Sequence, residues 1–161
     1  MPFDLDRLLL AVATSIVRPL SAAQERQVHV VRRYFAALEA HDWDALLALC
    51  ADDVRYVLPD PAPFATTLQG TTAFRAYTVE TFRHFPQVRF TDVRPYATPH
   101  GVAVHYQGSW QPPGGEELRQ EGATLFAFAQ DAGERELIAQ IGVHLKAEEL
   151  RGLVRTANTA R

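Results

Sequence analysis

The feature that most constrains the fold is a change of hydrophobic period between residues 28 and 59. The first part carries apolar residues at the spacing of one helix face, and the last part alternates at the period of two that strands show. The helical positions are Tyr34, Phe35 and Leu38, and the strand positions are Val54, Tyr56 and Leu58. Asp42 lies between them and can cap a second short helix, which would carry Leu46, Leu47 and Leu49. The chain is therefore predicted to place a helical pair directly before the first strand of a sheet.

Cap and turn signals divide the rest of the chain into further helices and long strands. Ser21 and Gln24 form a capping-box pair for the first helix of the pair. Residues 59–70 contain three prolines, which predicts an ordered loop without regular structure. Thr71 or Thr72 can cap a third helix that runs to residue 85. Strands are predicted at residues 54–58, 88–96, 102–110, 118–128 and 136–145.

The first 20 residues are predicted to form an amphipathic helix outside the main domain. Asp4 and Asp6 near its start are not typical of a secretory signal, and its apolar run is shorter than the ~20 residues that cross a bilayer. We therefore expect an N-terminal helix at 1–20, one globular domain at 21–146, and a C-terminal helix and tail at 147–161. No membrane contact is expected.

The amino-acid composition limits the kinds of partner and cofactor that the chain is expected to bind. The 161 residues suit a single domain, and a net charge of -3 gives no electrostatic case for nucleic-acid binding. The single cysteine, Cys50, excludes an internal disulfide, is predicted to be buried on the second helix, and is compatible with the cytoplasm. No histidine pair has helical zinc-site spacing, and dinucleotide and phosphate-loop motifs are absent. We expect neither a metal nor a cofactor.

Alternation along the later strands separates an inner from an outer face of the sheet. The positions assigned to the inside are Val102, Val104, Tyr106, Gly108 and Trp110; Gly122, Thr124, Phe126 and Phe128; and Leu137, Ala139, Ile141, Val143 and Leu145. The outer face then carries His105, Glu121, Gln140 and His144, which a one-residue register slip would turn inward as an acid/base cluster. Because both faces carry apolar residues, we expect a second copy to cover the outer face in a homodimer.

The run VVRRYFAALEAHDWDALLALCADDVRYVLP, residues 30–59, resembles the opening of the nuclear transport factor 2-like superfamily. GTTAFRAYTVETF, residues 70–82, extends the likeness. Within the superfamily the chain is most similar to SnoaL-like polyketide cyclases, ketosteroid isomerases and limonene epoxide hydrolases. The resemblance implies an α+β fold, in which a cone-shaped, curved and mostly antiparallel sheet wraps around three helices and encloses a pocket. The N-terminal helix is extra to that fold.

When the functional residues of these families are matched to this sequence one by one, the tyrosines are present and the acidic residues are replaced. Tyr34 matches the tyrosine that donates a hydrogen bond to an enolate in ketosteroid isomerases. Leu58 stands where that family has its base, and Thr124 where it has a protonated aspartate. Tyr56 matches the first-strand tyrosine of the epoxide hydrolases, and Leu58 again replaces a polar residue. The positions that match the Asp, Arg and Asp of the epoxide hydrolase proton relay are occupied here by Tyr106, Gly108 and Val143.

These observations predict a protein that binds a small lipophilic ligand in an apolar, tyrosine-lined cavity. The residues expected at the cavity are Tyr34, Tyr56, Leu58, Phe74, Tyr77, Tyr106, Thr124, Phe126 and Val143. One alternative is a cyclase, isomerase or dehydratase of a polyketide- or terpenoid-like substrate, with Tyr34 as hydrogen-bond donor and Asp60 or an inward histidine as base. Another is a dimeric assembly module that uses the outer sheet and the N-terminal helix. Fold analogy alone does not choose among them.

Overall fold

The computed structural model describes residues 19–58 and 66–145, which form an α+β domain. The helices are α1 (Ala22–Ala40), α2 (Trp43–Leu47) and α3 (Thr71–Arg83). The strands are β1 (Cys50–Leu58), β2 (Thr66–Gln69), β3 (Gln87–Thr98), β4 (Gly101–Gln111), β5 (Leu118–Gln130) and β6 (Glu136–Leu145). Residues 1–18 of the predicted N-terminal helix, the candidate base Asp60, and the predicted C-terminal helix and tail lie outside the described residues.

The described strands form one curved, unclosed sheet in the order β2-β1-β6-β5-β4-β3. The β1–β6 pair is parallel and the other pairs are antiparallel. Helix α1 packs against β3, β4 and β6, and α3 packs against β1 and β2. This confirms the predicted cone, with helices inside a mostly antiparallel sheet, and it leaves the concave face of the sheet to line whatever the cone encloses.

Helix α1 begins and ends as its sequence predicts. The Ser21 side chain accepts from the Gln24 backbone N–H, and the Gln24 side chain accepts from the Ser21 backbone N–H, at 3.2 and 3.0 Å. The helix ends at His41, which is left-handed with a φ of 53° and donates its N–H to the Ala37 and Leu38 carbonyls. Both caps satisfy backbone groups that a helix terminus leaves without partners. The buried stripe that results is Val31, Tyr34, Phe35, Ala37 and Leu38.

The region around β1 differs from the prediction in three places. Cys50 is the first residue of β1 and not part of the second helix, although its side chain is buried as expected. The loop predicted at 59–70 contains the short strand β2, which pairs antiparallel with β1. Gly70, with a φ of 86°, precedes α3 in place of a threonine cap. Each difference depends on pairing or backbone geometry that local periodicity does not report.

Strand β6 contains a bulge, which changes which of its residues point to the inner face of the sheet. Ala127 pairs with Gln140 but the next residue, Phe128, pairs with Ile138, so Ala139 is the extra residue. Ile138 is therefore fully buried on the inner face, and the assignment of Leu137 and Ala139 to the inside was wrong. Beyond the bulge Ile141 stays inside as predicted, because the two-residue period is intact there.

A buried carboxylate joins α1 to the start of β6. The side chain of Glu136 is 3% exposed, and its oxygens accept from Gln27 Nε2 and Gln130 Nε2, both at 3.1 Å. Arg26 adds a guanidinium at 3.5 Å. A buried charge is tolerated when it is paired and hydrogen-bonded, and these partners meet that condition. The contact positions the first turns of α1 over the sheet.

Candidate functional site

A cavity of about 290 Å³ lies between α1, α3 and the inner face of the sheet. Eight of the nine residues that the sequence placed at a cavity line it, namely Tyr34, Tyr56, Leu58, Phe74, Tyr77, Tyr106, Thr124 and Val143. The ninth, Phe126, lies behind the wall, with its ring edge-on to Tyr34 at a centroid distance of 5.0 Å. The structure therefore brings the predicted residues together; whether they bind a ligand stays a prediction.

Tyr34 is held inside the cone by aromatic contacts on its own helix and on β5. Its ring lies edge-on to Phe35 at 5.6 Å and to Phe126, and the residue is 5% exposed. Burial raises the pKa of its phenol well above the usual value, and the nearby Cys50 thiol and the other phenols raise it further. Tyr34 therefore stays protonated near neutral pH and offers a hydrogen-bond donor to the cavity.

The other phenols lie close to polar neighbours on the inner face. Burial raises the Tyr56 pKa well above the usual value, and the nearby Tyr77 raises it further. Burial raises the Tyr106 pKa to about 12, and the nearby Thr124 hydroxyl partly offsets that effect. These phenols therefore also stay protonated near neutral pH.

The cavity has no carboxyl group at the two positions that the resemblance matched to catalytic acids. Leu58 is 3% exposed and Thr124 2% exposed, and both line the cavity, so the two positions that the resemblance matched to carboxyl groups carry none here. Among the described lining residues, the carboxylic acid is Glu80 of α3 and the imidazole base is His84, the residue that follows the last turn of α3. His84 Nε2 lies 3.5 Å from Glu80 Oε1, and the same carboxylate accepts from Arg83 at 2.8 Å.

The sequence analysis missed the Glu80–His84 pair. The aromatic residues of α3, among them Phe74 and Phe82, suggested a packing face, and no two histidines of the chain have the i, i+4 spacing of a helical metal site. An acid four residues before a histidine is a signal that could have found the pair, since positions i and i+4 share one side of a helix.

Two buried polar groups at the β4–β5 side of the cavity were also missed. Gln120 is 4% exposed and Trp110 is 7% exposed, and both line the cavity. Gln120 lies two residues before Gly122 and so has the parity of the inner face, which would have revealed it. Trp110 was placed on the inner face by its alternation but not among the cavity residues.

The outer face carries the residues that a register slip would have turned inward. His105 and Glu121 form a pair across β4 and β5, with Nε2 and Oε1 2.8 Å apart, and both are partly exposed. His144 shares their face, and burial lowers its pKa. None of the four residues of the suggested cluster, Gln140 included, lines the cavity, so the inward acid/base cluster was wrong.

Two further observations concern the residues within 19–58 and 66–145. They contain no group of three or more His, Cys, Asp or Glu side chains arranged to hold a metal ion. None of their helices combines the length and apolar character needed to cross a membrane.

Comparison with known proteins identifies relatives of the fold. The model of a family described as the SnoaL-like domain matches residues 31–134. A protein of Xanthomonas campestris pv. campestris, assigned as a polyketide cyclase, is 21% identical with a TM-score of 0.65, over 83% of this chain and 99% of that chain. A protein of Jannaschia sp. CCS1, assigned as a SnoaL-like polyketide cyclase, is 15% identical with a TM-score of 0.70, over 85% and 96%.

A third solved structure, PrhC from Penicillium brasilianum, is 16% identical with a TM-score of 0.70, over 86% of this chain and 93% of that chain. No curated protein matches the sequence. Identities this low establish a shared fold and carry no activity with them.

Proposed function

Because the chain belongs to the SnoaL-like domain family, we propose that it binds a small lipophilic ligand in the cavity between α1, α3 and the sheet. The observation that carries this proposal is the cavity itself. It has a volume of about 290 Å³ and is lined mainly by aromatic rings, four of which belong to tyrosines. Ligand sites are typically concave and apolar with a few placed polar groups, and this cavity has that composition.

The character of the polar groups favours binding over chemistry deep in the cone. Tyr34 is a neutral phenol, since burial keeps its pKa high. Leu58 and Thr124 offer no proton-transferring carboxyl group. A lipophilic molecule would gain from burial against the rings, and the protonated Tyr34 would orient it by donating to an oxygen atom.

A cavity-filling variant with a matched control tests the proposal. Val143 lines the cavity, so Val143→Phe should abolish the binding of a small aromatic probe such as 2-naphthol, measured by calorimetry. Ala76 is exposed on α3 and does not line the cavity, so Ala76→Phe adds a similar ring without filling the cavity and should bind as the unaltered protein does. Unaltered protein that binds no aromatic probe, and yields no retained small molecule in native mass spectrometry after purification from its own host, would refute the proposal.

A second candidate is a cyclase, isomerase or dehydratase that acts on a polyketide-like substrate. What favours it is the Glu80–His84 pair, because the pair lines the same cavity as the Tyr34 donor. In such a reaction the His84 imidazole would remove a carbon-bound proton and Tyr34 would donate to the enolate oxygen. Asp60, the base suggested by the sequence, remains a prediction. Solved structures with this fold include proteins assigned as polyketide cyclases.

Hydrogen–deuterium exchange at carbon tests the second candidate without knowledge of the natural substrate. The probe is 2-tetralone in D₂O, a simple ketone whose α-protons are bound to carbon, observed by NMR. Catalysis predicts exchange faster than buffer alone, and a loss of at least about tenfold of that excess rate in His84→Gln. His29→Gln, a change in α1 outside the cavity lining, is the control. Exchange at the buffer rate in unaltered protein would leave binding as the function.

The outer face of the sheet is proposed as the interface of a homodimer. Ala103 is 6% exposed, and its neighbours on the face, Ala123, Leu125 and Gly142, are small or apolar. Sheet-to-sheet pairing of two copies would cover them. Sedimentation should show a dimer that Ala123→Arg dissociates, and a monomer at micromolar concentration would contradict the proposal. The predicted cytoplasmic location also stays a proposal, which fractionation of host cells would test.

A further inference from the structure

The end of α3 brings a carboxylate and an imidazole into the wall of the cavity. Glu80 and His84 both line the cavity, and they are four residues apart, so they share one side of the helix. The Glu80 side chain is 52% exposed, whereas the His84 side chain is 13% exposed. The carboxylate therefore lies at the mouth of the cavity, and most of the imidazole ring lies within the wall.

The Glu80 carboxylate contacts two neighbours through the same oxygen. Its Oε1 accepts from Arg83 Nη2 at 2.8 Å and lies 3.5 Å from His84 Nε2. A carboxylate beside one ring nitrogen of a neutral histidine favours the tautomer that carries its proton on that nitrogen. The neutral His84 ring therefore keeps its proton on Nε2, and its Nδ1 is left with a lone pair that can accept a hydrogen bond.

The Nδ1 atom of His84 is accessible and forms no hydrogen bond with a described residue. An inaccessible Nδ1 without a partner would belong with the buried, unpaired polar atoms of the described chain, and it does not. Those atoms are His41 Nε2, Trp110 Nε1 and Gln120 Oε1. Because the His84 ring lines the cavity, an accessible and unbonded acceptor borders the space that a ligand would fill.

Other polar groups of the wall are poorer acceptors for a ligand proton. Tyr34, Thr78 and Thr81 carry hydroxyl oxygens, which are far less basic than an imidazole nitrogen. Gln120 Oε1 is an acceptor, but it is buried out of reach of a ligand. The exposed Glu80 carboxylate is already paired with an arginine and is open to water. A hydroxyl proton inside the cavity therefore has its best acceptor in the imidazole nitrogen.

We propose that the cavity selects a ligand with an acidic hydroxyl group, which donates its proton in a hydrogen bond to His84 Nδ1. Glu80 is a positioning residue, since it holds the imidazole proton on the opposite nitrogen. The ligand class is thus a lipophilic phenol or enol. An ether or ketone oxygen can accept from Tyr34 but has no proton for Nδ1. This inference rests on the proposed binding function, and it names the chemistry by which the cavity chooses its ligand.

Three probes of similar size test the inference by calorimetry: 2-naphthol, 2-methoxynaphthalene and 2-methylnaphthalene. Full-length protein should bind 2-naphthol about fivefold more tightly than the ether, which can accept a hydrogen bond but cannot donate one. His84→Phe should abolish that preference, and Glu80→Leu should weaken it about twofold. His100→Phe, the same change in the exposed turn between β3 and β4, is the control and should keep the full preference.

NMR of protein labelled with ¹⁵N at its histidines tests the same atom without any substitution. The Nδ1 resonance of His84 should be that of an unprotonated ring nitrogen. It should move upfield when 2-naphthol binds and stay in place when 2-methoxynaphthalene binds. An unmoved resonance with bound 2-naphthol would overturn the inference, even if His84→Phe does not fold. A protonated Nδ1 in the neutral ring of the free protein would overturn the role given to Glu80.

The outcomes distinguish this inference from the proposed function. Equal binding of all three probes to unaltered protein would overturn the hydroxyl inference and support the binding function. A full preference retained in folded His84→Phe would do the same, because the hydroxyl proton would then have another acceptor. Binding of none of the probes would overturn the inference together with the binding function.

Discussion

The two faces of the β4–β5–β6 sheet are built from alternate residues of the same strands, yet they differ in side-chain volume and in partners. The inner face carries aromatic rings that contact the helices: Phe126 and Tyr106 contact α1, and Trp110 contacts α3. The outer face carries small residues around the His105–Glu121 pair. Both faces have buried positions: Val104 on the inner face is 1% exposed and Ala103 on the outer face is 6% exposed. Burial alone therefore does not distinguish the faces.

What distinguishes them is how a ring is accommodated. Tyr106 lies directly over Gly122, its pairing partner on β5, and a methyl group there would be 2.6 Å from both Cζ and Oη of the phenol. The outer glycine, Gly142, has only ordinary contacts, the nearest 3.9 Å from its would-be Cβ. Glycine on the inner face is a packing partner for an aromatic ring, whereas on the outer face it leaves open surface.

The largest expected effect tests which residue of β6 belongs to the inner face. Ile138→Ala should lower the free energy of unfolding by about 3 kcal/mol, because a fully buried side chain is removed and a cavity remains. Leu137→Ala should lower it by less than about 1 kcal/mol, since the bulge places the partly exposed Leu137 on the outer face. Urea denaturation measures both. The opposite order would show that the bulge at Ala139 is misplaced.

The paired glycines should show the next largest difference. Gly122→Ala should lower the free energy of unfolding by about 1–3 kcal/mol, because the Tyr106 ring must move from a position held by its neighbours. Gly142→Ala should change it by no more than about 0.5 kcal/mol. Thermal unfolding of the two variants compares the faces directly. Equal effects would mean that the ring is not fixed over Gly122.

Alkaline pH should lower the stability of the protein through a titratable group on the inner side of the sheet. Burial raises the pKa of the Cys50 thiol from 9.0 to about 12. Between these values the unfolded chain releases the proton while the folded protein keeps it, so stability should fall as the pH rises from about 9 to 12. Cys50→Ala should reduce that slope, and the buried phenols account for the remainder. Denaturation midpoints between pH 8 and 11 measure it, and identical slopes would contradict the burial of the thiol.

Acidic pH should lower the stability through a histidine on the outer side of the sheet, and this is the smallest of the expected effects. Burial lowers the pKa of His144 below 6.5. As the pH falls below 6.5 the unfolded chain takes up a proton that the folded protein resists, so stability should decrease there. His144→Gln should make stability less sensitive to pH between 7 and 5, as seen in denaturation midpoints. A steeper loss in the variant would show that protonated His144 is stabilised by its surroundings.

How much of the site was predictable depends on the distance between interacting residues. Tyr34 follows from helical spacing, and Tyr56 and Tyr106 from strand alternation, since these periods fix the direction of a side chain relative to its own element. The bulge at Ala139 was not predictable, because it depends on the register of β5 against β6. Neither was β2, a four-residue strand that pairs with β1.

The polar groups of the cavity show the same limit. Gln120 has the parity of the inner face, but its parity does not reveal that its oxygen lacks a partner among the described residues. The Glu80–His84 pair lies at i, i+4 where α3 ends, but only the fold shows that this end of the helix faces a cavity. Whether a polar residue is satisfied depends on atoms from other elements.

The sequence by itself determined the helices, most of the strands, the caps of α1 and α2, and the inner residues of β4 and β5, because short-range periodicity and backbone capping are local properties. It also carried the resemblance from which the cone was expected. Only the tertiary structure decided the register of β6, the size of the cavity and which of its polar groups remain unpaired. These depend on side chains far apart in the chain, such as Trp110 and Phe82, and on the close packing that brings them into contact.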